Sequence, residues 1–380
     1  MVKRKSELDA IVIGGGVMGL GVARALASSG RRVLVLERGR CGQEASRAAA
    51  GMLSPLGEEL SPDPFLELGL RSLSLYRDYV HSLEAESGLD VGYRESGKLE
   101  VGFADSESAH LQELVTRQRA AGFPVEFMER AALLELEPAL ARSKAAAGAW
   151  IPTDHVVDNR KLASALRVAC EIQEVTIREG CPATGILVQG GRVAGVEAGD
   201  GLVFRAPWIV LAAGAWSGGL PGLPRRIPVR PVRGQMLSIA MDPPPFRRVI
   251  ATSSVYLVPR PDHLIVGATS EEAGFRRETT AAGQAQLAAG LIQALPEAGT
   301  LPIRERWIGF RPATPDGLPI LGADPHVQGL VYATGHFRNG ILLLPVTVDL
   351  VGGLLEQTSP PNPAVPFRYR SLITQSHWAK

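Results

Sequence analysis

The sequence has little cysteine: three residues in 380, Cys41, Cys170 and Cys181, with no C-x-x-C pair and no metal-ligand spacing. This excludes a disulfide framework and a cysteine-bound metal, and it suits free thiols in a reducing cytoplasm. Excess charge of either sign is also missing, since 40 basic residues face 39 acidic ones. Such a balance offers a polyanion nothing to bind, so nucleic acid is not an expected partner. Long apolar runs are absent too. The longest, Ile341 to Leu355, is interrupted by Pro345, Thr347 and Asp349 and is too short to span a bilayer. The opening MVKRKSELDAIVIGGG sets basic residues before an apolar stretch, as a signal peptide does. Glu7 and Asp9 break that pattern, and AIVI is too short for an apolar signal core. The expectation is a soluble, cytoplasmic protein.

What is present is a 45% hydrophobic fraction, enough for a large core, and a length that points to two domains. The first forty residues read as a βαβ unit. DAIVIGGG is a short buried strand running into glycines, and VMGLGVARALASSG has helical spacing and a stop at Gly30. RRVLVLERG is a second strand ending on an acid. Residues 62–122 read as mostly helical around a strand at GKLEVGF. Short strands with Gly-rich turns follow over 175–215 and again over 226–270. TTAAGQAQLAAGLIQALP and ILLLPVTVDLVGGLLEQ read as helices. Asp158 reads as a helix cap and His155 as structural.

Between the first strand and helix stands Gly14-x-Gly16-x-x-Gly19. The first glycine permits the tight turn, the second lets backbone approach a pyrophosphate, and the third lets helix and strand pack closely. The helix N-terminus offers free N–H groups and a positive dipole end to phosphate. Glu37, 21 residues beyond Gly16, stands at the end of the second strand, where a carboxylate binds ribose hydroxyls. Alone, the glycine pattern is weak. In its strand–turn–helix–strand context, with the acid in place, it outweighs a glycine-rich turn beside a surface Glu. The small residues Ala48, Ala49, Ala50 and Gly51 suit backbone run against a broad flat ring, although an Ala-rich helix start has the same composition.

The stretches IVIGGGVMGL, EASRAAAGMLSP, IVLAAGAWSG, PVRPVRGQML, VYLVPR, IVGATSEEAGF, WIGFRPATPDGLPILG and GHFRNGILLLP carry a resemblance over Asp9 to Glu356. The chain resembles the D-amino-acid oxidase superfamily, and within it glycine oxidases of the thiamine-biosynthesis type. The resemblance implies an α/β fold: a Rossmann-like FAD-binding domain interleaved with an α+β substrate-binding domain built on an antiparallel sheet. The implied division gives 1–90, 150–225 and 305–358 to the FAD-binding domain and 91–149 and 226–304 to the substrate-binding domain, with 359–380 a C-terminal tail.

By the same resemblance, Val17 and Met18 carry the adenine half of FAD, Glu37 and Arg38 its ribose, and Ala183 meets the adenine through its backbone. Ala45, Ser46, Ala50, Gly51 and Met52 line the pyrophosphate and ring. His336, Phe337, Arg338, Asn339, Gly340, Ile341 and Leu342 close over the flavin, with the helix dipole behind them stabilising charge that builds on the ring. Arg311 binds the substrate carboxylate as a planar fork, Tyr256 donates its hydroxyl to the same group, and Arg338 is a second basic residue beside it. Relatives carry a larger apolar side chain near Ser270. Hydride transfer from the α-carbon needs a neutral amine and good geometry rather than a side-chain base, so His336 is given a backbone role. No cysteine follows Cys181, which points to noncovalent FAD. The implied reaction is oxidative deamination of glycine, sarcosine or D-alanine, with dioxygen as acceptor and an imine that supplies thiazole synthesis. The resemblance also implies a homo-oligomer, often a tetramer. Two rivals stand beside it: a dehydrogenase passing electrons to a quinone, and a flavin-binding partner protein without turnover.

Overall fold

The computed structural model describes residues 8–56 and 64–356. The expected tail, 359–380, lies outside the described residues. Among them, no helix is long and apolar enough to cross a membrane.

Two sheets organise the chain. The first has six strands in the order Ile320–Ala323, Leu330–Thr334, Trp208–Leu211, Ala10–Ile13, Val33–Leu36, Thr176–Arg178. Five are parallel, and Ile320–Ala323 runs antiparallel at one edge. The opening strand AIVI is buried on both faces, as a parallel sheet requires. Ala10 and Val12 join one core with the fingerprint helix Val17–Ser28 and the helices Asn159–Ile172 and Leu344–Glu356. Ile11 and Ile13 join a second core on the other face, under the small sheet of Ala183–Gln189, Arg192–Ala198 and Val203–Phe204.

The second sheet has eight strands in the order Ile303–Ala313, Arg230–Ala240, His263–Gly267, Tyr256–Arg260, Val249–Ala251, Lys98–Gly102, Ala147–Ile151, Glu126–Glu129. All its pairings are antiparallel except Val249–Ala251 with Lys98–Gly102. One face packs Leu237, Leu257, Leu264 and Val266 against the helix Ala281–Ala294. The other presents Met236, Val258, Ile265 and Trp307 to Ala48 and Ala50 of the N-terminal segment.

The expected boundary at 305 falls inside Ile303–Ala313, which pairs with Arg230–Ala240 from Arg230↔Ala313 to Ile239↔Ile303. By hydrogen bonding, that stretch belongs to the antiparallel sheet. The boundary at 150 likewise falls within Ala147–Ile151. The final helix starts at Leu344 rather than Ile341, with Pro345 its second residue, where a missing N–H costs little.

Candidate active site

A cavity of about 1030 Å³ is bordered by residues of both sheets and of the loop before the last helix. At one end stands the fingerprint. Gly14 has φ +106°, and a Cβ there would lie 2.5 Å from the Ala212 carbonyl oxygen. A Cβ on Gly19 would lie 1.9 Å from the Gly14 carbonyl oxygen, so strand and helix meet backbone to backbone. Gly19 is therefore spent on packing and does not border the cavity. The helix carries neither a capping side chain at Gly16 nor an acid in its first turn, so it brings no charge of its own to offset its dipole end. The Val17 N–H donates to Ser46 Oγ at 3.0 Å, fixing the two cavity-bordering segments together.

Glu37 is buried, and its two oxygens accept from the Gly15 and Gly39 N–H groups at 2.8 and 2.7 Å. Each oxygen keeps a lone pair for a hydroxyl. Arg38 lies 3.4 Å over the Trp216 ring and pairs with Glu44 at 2.6 Å. The segment 45–52 is held from behind: the Ser46, Ala48 and Ala50 carbonyls accept from Asn159 Nδ2 at 2.8 Å, Trp307 Nε1 at 3.1 Å and Arg260 Nη2 at 2.8 Å.

Arg311, Tyr256 and Arg338 also border the cavity and lie close enough to act on one another's charge. Arg311 Nη1 donates to the Thr269 carbonyl at 3.0 Å. A Cβ on Gly234 would lie 2.5 Å from that Nη1 and 2.7 Å from Cζ, so the guanidinium rests directly on glycine backbone. Burial pulls the Arg311 guanidinium below its ordinary value; Tyr256 draws it back up and Arg338 pushes it further down. Burial lifts the Tyr256 phenol, while both arginines draw it down. Among the described residues, no carboxylate pairs with Arg311. A buried cation with a second cation beside it calls for an anionic partner.

The loop from Gly335 adds its residues to the cavity wall. Phe337, at φ +48°, donates its N–H to the Pro312 carbonyl at 3.0 Å, tying the loop to the residue after Arg311. The Leu343 N–H reaches the Asn339 carbonyl at 2.8 Å, a turn that leads into the last helix. His336 is buried, its Nε2 is 3.0 Å from Thr347 Oγ1, and burial pushes it down to about 3. Residues 336–341 border the cavity, whereas Leu342 is turned away, its carbonyl accepting from Ser72 Oγ at 2.6 Å. Apart from Gly19 and Leu342, every residue expected to hold cofactor or substrate borders the cavity. The sequence reading passed over Gly234, Trp216, Trp307 and Arg260. It also passed over Lys98, whose Nζ meets Ser54 Oγ at 2.7 Å, Glu100 Oε1 at 2.9 Å and Asp154 Oδ2 at 3.2 Å in the cavity wall. A lone glycine within an apolar strand was the available signal for Gly234.

A family model described as "FAD dependent oxidoreductase" matches residues 9–353. The chain belongs to that family. It is 40% identical over 359 residues to the "Bifunctional protein ThiO/ThiG" of Trichormus variabilis, covering 93% of this chain and 53% of that one, so it spans about half the length of this relative. It is 34% identical to the "Glycine oxidase" of Geobacillus kaustophilus, covering 94% and 96%. The crystal structure of glycine oxidase from that organism superposes with a TM-score of 0.88 at 32% identity, covering 95% and 98%. The residues present suit the family's cofactor. The Gly14–Gly19 approach, the helix end without an acid of its own and Glu37 match a pyrophosphate and ribose, and Ala50 and Gly51 border the same cavity as Arg311.

Proposed function

We propose that this protein is an FAD-dependent oxidase of a small amino acid, glycine foremost, with sarcosine and D-alanine as further substrates. The observation that carries the reading is the Arg311–Tyr256–Arg338 cluster, in which Arg311 has no carboxylate partner among the described residues and which borders the same cavity as the dinucleotide fingerprint. Arg311 takes the substrate carboxylate, Tyr256 donates its hydroxyl to it, and Arg338 adds charge. Gly234 and Thr269 fix the guanidinium, and with it the position of the α-carbon. Bound FAD supplies the two-electron acceptor. His336, held neutral by burial, is too weak a base to take a proton from the substrate ammonium, so the substrate must arrive as the free amine. Two-electron oxidation gives the imine, which water converts to glyoxylate and ammonia, while dioxygen is reduced to hydrogen peroxide.

None of the three cysteines borders the cavity, which supports noncovalent FAD. Similarity to the bifunctional ThiO/ThiG protein supports a role in thiamine biosynthesis, with the imine feeding thiazole synthesis. Cytoplasmic placement and a homo-oligomer, a tetramer, complete the reading. The test is anaerobic mixing of the FAD-loaded protein with glycine, sarcosine and D-alanine, followed by admission of air. Bleaching followed by peroxide is the expected result. Bleaching that only a dye or quinone reverses would make the protein a dehydrogenase, and no bleaching by any small amine would leave a flavin binder.

A further inference from the structure

One buried cation beside the cavity has no part in this chemistry. Arg260 ends the strand Tyr256–Arg260, and the two-residue period of a strand sends its side chain off the same face as Tyr256 and Val258. It is 5% exposed. Nη2 donates to the carbonyls of Ala50 at 2.8 Å and Val157 at 3.1 Å, and a Cβ on Gly51 would come within 3.1 Å of it. The guanidinium therefore lies immediately behind Ala50 and Gly51, which themselves border the cavity. Burial lowers it to about 10, still protonated at neutral pH. Its nearest anion is Asp158, with Oδ2 3.6 Å from Nε, while Arg94 and Arg160 add positive charge nearby. Arg160 is itself paired with Glu305 at 2.8 Å and partly exposed, so the charge that stands out behind Ala50 and Gly51 is the buried Arg260 guanidinium, faced by one carboxylate at 3.6 Å.

We propose that Arg260 raises the reduction potential of the flavin bound in this cavity, acting through space across Ala50 and Gly51 without touching it. The proposal rests on the FAD reading above. A fixed positive charge in a poorly solvated wall favours the more negative, reduced state of whatever is bound in front of it. Arg260 is in this sense a tuning residue, distinct from those that hold the substrate.

The test is the potential of the holoenzyme by dye equilibration, with the FAD dissociation constant measured alongside. Arg260→Gln keeps an amide donor for the carbonyls and removes the charge. It is expected to lower the two-electron potential by about 30 mV, a tenfold change in the equilibrium between oxidised and reduced flavin. Arg260→Lys keeps the charge and is expected to stay near the parent. Asp158→Asn preserves a good helix cap, removes the opposing anion, and is expected to raise the potential. It decides the matter even where the glutamine variant fails to fold. Potentials that stay put in variants that retain FAD, or that move in the same direction for Arg260→Gln and Asp158→Asn, overturn the proposal and leave Arg260 a prop for the loop. A parent protein that takes up no FAD overturns the underlying reading instead, so the two failures are distinct.

Discussion

Gly234→Ala is the sharpest perturbation the structure offers. The added Cβ would sit 2.5 Å from Arg311 Nη1 and 2.7 Å from both Cζ and Nη2. Ordinary contact is about 3.5 Å, so the guanidinium must retreat by about 1 Å. The backbone cannot yield in its place, because Gly234 lies mid-strand and is registered with Gly309 on one side. The cost therefore falls on the long, flexible side chain, and the fold survives. A 1 Å misplacement of a positioning group costs about 10²-fold in rate, or about 2.7 kcal/mol. We expect kcat/KM for glycine to fall about 10²-fold, with FAD content and Tm close to the parent's. Steady-state kinetics with glycine, alongside FAD content by absorbance, reads both. A variant within threefold of the parent would show that Arg311 does not depend on glycine backbone beneath it, and the clamp geometry would be wrong.

Arg311→Ala should keep FAD and lose substrate affinity, since stripping one partner from a buried charge pair costs about 3–5 kcal/mol; near-normal KM for glycine would remove Arg311 from the site. Next, kcat/KM should climb with pH as the substrate ammonium loses its proton, and His336→Asn should leave that profile in place, because a histidine held near 3 has no step there. A profile flat through alkaline pH contradicts this. Finally, His336 lies below its unfolded value of about 6.5, so the unfolded chain takes up a proton that the folded one refuses. Its contribution is intact above about 6.5 and lost as pH falls toward 3, reaching about 2 kcal/mol at pH 5. Urea unfolding of parent and His336→Asn at pH 5 and 8 should show the variant less acid-sensitive by about that amount, and equal sensitivity would refute it.

The βαβ unit was legible because each of its signals is local. The apolar strands, the helical spacing and the three glycines lie within forty residues, and Glu37 follows on the next strand end. The loop from His336 was placed by resemblance rather than by a local pattern. The strand Ile303–Ala313 was not read as an element, and its Gly309 and Pro312 are residues that weaken a strand pattern. It occupies one edge of the eight-stranded sheet, the position at which a strand tolerates proline. Arg311 could be picked out by resemblance, but its seat on Gly234 arises only when two strands 77 residues apart come into register. The polar ties behind the cavity are similarly remote: Arg260 meets Ala50 across 210 positions and Trp307 meets Ala48 across 259. Side-chain brackets of that reach leave no periodicity to read.

The central claim is that Arg311 holds the carboxylate of a small substrate beside the cofactor. A crystal structure of the FAD-loaded protein grown with glycolate tests it most directly. The account predicts the glycolate carboxylate on the Arg311 guanidinium with the Tyr256 hydroxyl on the same group. Glycolate bound elsewhere in the cavity, or Arg311 turned to solvent, would contradict it.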